Sequence, residues 1–95
     1  MTREQILAKA KDCVCGQRQL EYGTPEDNFG LIARLWSGYT GTQISSTDVA
    51  MMMALLKIAR IKRGNAVEDS YVDLAGYAAC GGELGTELPW QTSGK

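Results

Sequence analysis

The sequence contains no histidine. That absence removes Ser-His-Asp and Cys-His catalysis, histidine zinc ligation and histidine pH switching together. Any chemistry must run on carboxylates, lysine, arginine, tyrosine or thiols. Cysteine is scarce and odd in number: the three, Cys13, Cys15 and Cys80, give a C-x-C spacing that fits neither a disulfide framework, a thioredoxin-like motif nor a zinc knuckle. Buried free thiols in a reducing compartment are expected. No apolar run reaches the ~18 residues of a membrane span, and Met1 to Gln5 lack the apolar stretch of a signal peptide. A soluble cytoplasmic protein with no membrane partner follows as the expectation. A basic excess is missing too, with ten Lys+Arg against eleven Asp+Glu, and this argues against a long nucleic acid as partner.

What is present is a 95-residue chain, 44% hydrophobic, with the dimensions of one small domain. A chain of this length buries only about 60–65% of its unfolded surface, so a ligand, an oligomer or both are expected to supply further burial.

Helical punctuation is dense. Thr2 with Gln5 reads as a capping box, and Ile6, Ala10, Cys13, Val14 and Leu20 recur at helical spacing, predicting a first helix over about 3–22 with Gly23 as its C-cap. Thr24 then caps a second helix with Pro25 at its first position; Phe29, Ile32, Ala33 and Trp36 make its inner face, and it runs to about Ser37. Ser45 to Asp48 opens a third helix carrying Val49, Met51, Met52, Met53, Leu55, Leu56, Ile58 and Ile61, ended by Gly64-Asn65. Its apolar residues occupy nearly every face, which predicts either a buried central helix or a subunit interface. A fourth helix is expected from about Glu68 to Gly81-Gly82. Period-two alternation is absent, so the prediction is an all-α, single-domain four-helix bundle over 1–84 with a loose tail over 85–95, oligomeric through helix three.

The charged residues of helices three and four are segregated by sign. Asp69 and Asp73, four apart, share one face of helix four. Two carboxylates so placed suit Mg²⁺, which binds one or two carboxylates together with substrate phosphates. Alternatively, Asp69 caps the helix and Asp73 pairs with Lys57 or Arg60 across a groove. Lys57 and Arg60 lie side by side on helix three, in an otherwise apolar stretch that demands partners for them. Those partners are either the aspartates or a phosphate, which Arg60 clamps bidentately and Lys57 meets as a point charge. Arg18, Tyr22 and Asn28 gather around the turn between helices one and two. There Tyr22 stacks on a base whose edge Asn28 reads, or the two simply pack and satisfy the helix junction. Gly76 inside helix four costs about 1 kcal/mol relative to alanine, which close helix packing would offset.

The words Arg18…Tyr22-Gly23, Asn28-Phe29, Ile32-Ala33…Trp36, Asp48-Val49-Ala50, Met52-Met53, Leu56-Lys57-Ile58-Ala59-Arg60 and Asp69…Asp73-Leu74-Ala75-Gly76-Tyr77-Ala78 together resemble a small phage- and prophage-associated helical domain. The likeness spans about residues 15–82. More distantly, the Lys/Arg and Asp pairing resembles the all-α nucleoside triphosphate pyrophosphohydrolases of the MazG and phage dUTPase kind. That resemblance implies a homo-oligomer in a bacterial host cell that binds a small-molecule nucleotide. Asp69 and Asp73 match the family's acidic, Mg²⁺-holding helix, and Lys57 and Arg60 match basic positions facing it; Tyr77 is a further candidate ligand-binding residue. The chain departs from the family's E-x-x-E and E-x-x-D signatures. Helix three offers only Asp48, nine residues and about half a rotation from Lys57. No catalytic residue is therefore assigned, and binding is better supported than hydrolysis. A non-catalytic protein that sequesters a nucleotide-derived signal and a purely structural module are the rival readings.

Overall fold

The computed structural model describes residues 1–16 and 24–87. Four α-helices and no strand occur among the described residues: α1 (Arg3–Cys15), α2 (Pro25–Thr40), α3 (Ser46–Arg63) and α4 (Val67–Glu87). The all-α reading holds.

Local chemistry explains most of the boundaries. Thr2 and Ser45 each accept a hydrogen bond from the third helical amide, while Gln5 and Asp48 reach back to the cap amides. Two capping boxes thus satisfy donors that the helix itself cannot. Thr24 caps α2 through the Asp27 amide at 3.2 Å. Gly41 (φ 74°) and Gly64 (φ 83°) close α2 and α3 in the left-handed conformation that glycine adopts without penalty.

Three boundaries differ from the sequence reading. α1 ends at Cys15: the Gly16 amide still bonds the Asp12 carbonyl at 3.0 Å, but Gly16 itself, at φ −106° and ψ −147°, leaves the helical conformation, and residues 17–22 of the expected helix lie outside the described residues. A Cβ at Gly16 would lie 2.5 Å from that oxygen. The expected Gly23 cap and Leu20 lie outside the described residues. α2 continues past Ser37 through an unhindered Gly38 and ends only at Gly41. α4 runs through Gly81, Gly82 and Gly85 to Glu87, so these glycines are not terminators. Residues 88–95, Trp90 included, lie outside the described residues.

The helices pack in the spatial order α1, α4, α3, α2, with α3 against α4 the most extensive interface. α3 and α4 run antiparallel. Thr47 meets Gly85, Ala50 and Met51 meet Gly81, and Lys57 meets Asp73. The glycines let the two backbones approach. On the other side of α4, Gly76 faces Val14 of α1, whose Cγ1 would stand 3.1 Å from an added Cβ. Close packing is therefore the reason for the mid-helix glycine. The Met1 amino group bonds Glu68 at 2.6 Å, so α1 and α4 begin together and run in the same direction. The bond and positive charge of that amine hold the Glu68 carboxyl below its ordinary value.

The buried set is small-grained: Ala10, Ala33, Val49, Ala50, Ala54, Val72, Cys80 and Leu84, with Ser70. Leu84 is its one large side chain, and many of the other large apolar side chains are exposed. Leu55 is 64% exposed and Leu56 50%, so helix three is not the buried central helix that its composition suggests. It is central in packing order, between α4 and α2, yet the face that carries Leu55 and Leu56 is bare.

The thiols are free, as expected, but only Cys80 is buried. Burial, followed by the charges of Cys15, Glu83 and Glu26, pushes the Cys80 thiol up. Because the thiolate is the reactive form, Cys80 is expected to resist alkylation at neutral pH until the chain unfolds, while exposed Cys15 reacts at once. Mass-resolved labelling with iodoacetamide, with and without denaturant, checks this order.

Candidate functional site

The antiparallel α3–α4 pair determines which charged residues can meet. Lys57 lies in the second half of α3 and Asp73 in the first half of α4, and the register brings Lys57 Nζ to 3.0 Å from Asp73 Oδ2. Their side chains are 18% and 34% exposed, so the pair is half-buried in the seam between the helices. A cation so placed is expensive to leave unpaired. This is the interhelical pairing that the sequence offered as one of two readings for Lys57 and Asp73.

The other expected pairings are incomplete. Arg60, one turn beyond Lys57, is exposed and has no carboxylate within ion-pair distance among the described residues. Asp69, one turn before Asp73, is likewise exposed. It does not cap α4, which starts at Val67; it is the third helical residue, where a negative charge suits the positive helix end. Because the helices run antiparallel, Arg60 and Asp69 both lie one turn from the central ion pair at the same end of the seam, and both face solvent.

Tyr77 lies one turn further along α4 from Asp73, on the same face. Its ring packs against Phe29 of α2, with centroids 6.0 Å apart and planes tilted by 32°. This aromatic contact links α2 to the charged seam, and the sequence reading missed it. The available signal was the four-residue spacing from Asp73 to Tyr77 beside a Phe29 already placed on the inner face of α2. Asn28 is exposed in the first turn of α2, next to Phe29. Arg18 and Tyr22 lie outside the described residues.

For magnesium, the donor set is thin. No group of three or more Cys, Asp or Glu side chains capable of holding a metal ion gathers among the described residues. Of the two candidate carboxylates, Asp73 already faces an ammonium, which repels a second cation. The residues described here do not complete a Mg²⁺ site by themselves, and no catalytic step is derived through one.

No helix of the described residues is long and apolar enough to cross a membrane.

Fold and seam together define a small all-α domain organised around an interhelical Lys–Asp pair. The chain belongs to the family described as a domain of unknown function (DUF6378), which matches residues 5–85. Among curated proteins it is similar to the Gene 55 protein of Mycobacterium phage D29, 48% identical over 77 residues, which are 81% of this chain and 51% of that protein. It is also similar to the Gene 55 protein of Mycobacterium phage L5, 45% identical over 74 residues, covering 77% of this chain and 47% of that protein. The chain spans about half the length of these curated relatives. No solved structure matches it significantly. The phage-associated helical family is thereby shown. Neither the family description nor the relatives' names mention a pyrophosphohydrolase.

Proposed function

We propose that this domain binds a phosphorylated small molecule of the nucleotide class in the α3–α4 seam. The observation that carries the reading is the Lys57–Asp73 pair: an ammonium held half-buried at 3.0 Å from a carboxylate, with Arg60 one turn away and, among the described residues, free of any carboxylate. Lys57 exchanges Asp73 for a phosphate oxygen, and Arg60 adds a bidentate contact. The released Asp73 accepts from a ribose hydroxyl; were Mg²⁺ to arrive with the phosphates, Asp73 and Asp69 would be the carboxylates that meet it. Tyr77, backed by Phe29, offers a ring edge for the base. Without the four-acid signature of the pyrophosphohydrolases, the reading is one of binding and sequestration, and turnover is no part of it.

A second reading, a structural interaction module, is favoured by the same ion pair taken as a permanent strut. Thermal-shift and calorimetric titration with nucleoside mono-, di- and triphosphates, with and without Mg²⁺, separates the two. A ligand present at a hundred times Kd stabilises the fold by about 2.7 kcal/mol. That stabilisation is expected in the native chain and lost in Lys57→Met. A flat response across the panel at millimolar nucleotide assigns the pair to the strut. Pyrophosphate release that needs Mg²⁺ and vanishes in Asp73→Ala would instead make the domain a hydrolase.

A further inference from the structure

We propose that α3 is the interface of a two-fold homodimer in which the two copies of this helix pack antiparallel about Leu55. At 100° per residue, the face of α3 turned away from Lys57 and the α4 seam carries Asp48, Met52, Leu55, Leu56, Ile58, Ala59 and Lys62. Met52, Leu55, Leu56 and Ile58 are 44%, 64%, 50% and 48% exposed, whereas the residues α3 buries are Val49, Ala50 and Ala54. The helix shields its small side chains and leaves its large ones bare, the reverse of what a helix finished within one chain does.

The ends of that face identify the occupant. Asp48 and Lys62 are both exposed and lie seven residues to either side of Leu55. In an antiparallel pair centred on Leu55, Asp48 of each copy faces Lys62 of the other, Met52 faces Ile58, and the two Leu55 side chains meet on the axis. A two-fold interface must be self-complementary, since each residue pairing occurs twice. This stripe meets that condition in charge as well as in shape, and antiparallel packing also opposes the two helix dipoles. Asp48 uses one carboxylate oxygen, Oδ2, for the Ser45 amide and has Oδ1 left for Lys62. A second copy of the chain supplies all of these partners at once.

Sedimentation velocity on the full chain at micromolar concentration tests the inference. The native protein is expected at twice its 10.3 kDa mass. Leu55→Glu, which puts two like charges on the axis at a position exposed in the single chain, is expected to give a monomer with unchanged helical circular dichroism. Lys62→Glu sets carboxylate against Asp48 twice and is expected to weaken the dimer about tenfold at low salt, with partial recovery at high salt. Lys11→Glu on α1 is expected to change nothing. A native chain that stays monomeric, or a dimer indifferent to Leu55→Glu, overturns the interface, and a Lys62→Glu dimer of native affinity overturns the antiparallel register. Lys57 lies on the opposite side of α3, so ligand titration of Leu55→Glu separates failure of the interface from failure of the binding site.

Discussion

Gly81→Val is expected to lower stability by about 2–3 kcal/mol, while Gly82→Ala, one residue away, is expected to raise it by about 0.5–1 kcal/mol. The opposite signs come from the faces of α4. A Cβ at Gly81 would stand 2.7 Å from Met51 Cε and 3.1 Å from Ala50 Cβ. The methionine tip can swing away, but the alanine methyl moves only with its backbone, and valine adds two further methyls to the same space. At Gly82 nothing stands within 4 Å, so alanine only removes the entropic penalty of a helical glycine. For a chain of this size each kcal/mol moves Tm by about 4–8 °C, so thermal melts resolve both changes. Equal responses at the two positions would mean that α3 and α4 do not approach through Gly81.

The second large effect concerns the ion pair and is asymmetric. Asp73→Ala leaves the Lys57 ammonium, 18% exposed, with no carboxylate at hand, and is expected to cost about 2 kcal/mol. Lys57→Met keeps the apolar stem in the seam and leaves Asp73, 34% exposed, to be hydrated by water; about 1 kcal/mol or less is expected. The double variant Lys57→Met/Asp73→Ala is expected to be more stable than Asp73→Ala alone, because the orphaned cation is gone. Chemical denaturation of the three variants in a double-mutant cycle reads the coupling directly. Additivity would place the two groups apart in solution.

The sequence made the helices legible where a side chain or a left-handed glycine determines an end. Thr2, Thr24 and Ser45 each cap the helix expected of them, and Gly64 closes α3 as expected. It misled wherever glycine does two jobs. Gly16 ends α1 by leaving the helical conformation, while Gly81 and Gly85 sit inside α4 because α3 presses against them. Composition does not distinguish a terminating glycine from a contact glycine, since the difference lies in which helix comes near.

The candidate site was legible to a similar depth. Four-residue spacing put Asp69 and Asp73 on one face, and the apolar surroundings of Lys57 demanded a counter-charge. The structure shows that Asp73 provides it. Spacing alone did not choose between Lys57 and Arg60 as the partner; the register of the antiparallel pair does. The exposed stripe of α3 was hidden for a different reason. A helix apolar on nearly every side reads equally as a buried central helix or as a subunit interface, and only the burial of Val49, Ala50 and Ala54 beside a bare Leu55 shows which face this chain leaves uncovered.

Native mass spectrometry of the protein purified gently from bacterial cells tests the central claim, that the α3–α4 seam is a nucleotide site, most directly. One co-purifying small molecule per chain is expected, fragmenting to phosphate and a nucleobase, retained by Leu55→Glu and lost in Lys57→Met. A bare chain mass that stays bare in millimolar nucleotide would contradict that claim and leave the Lys57–Asp73 pair as a strut between two helices.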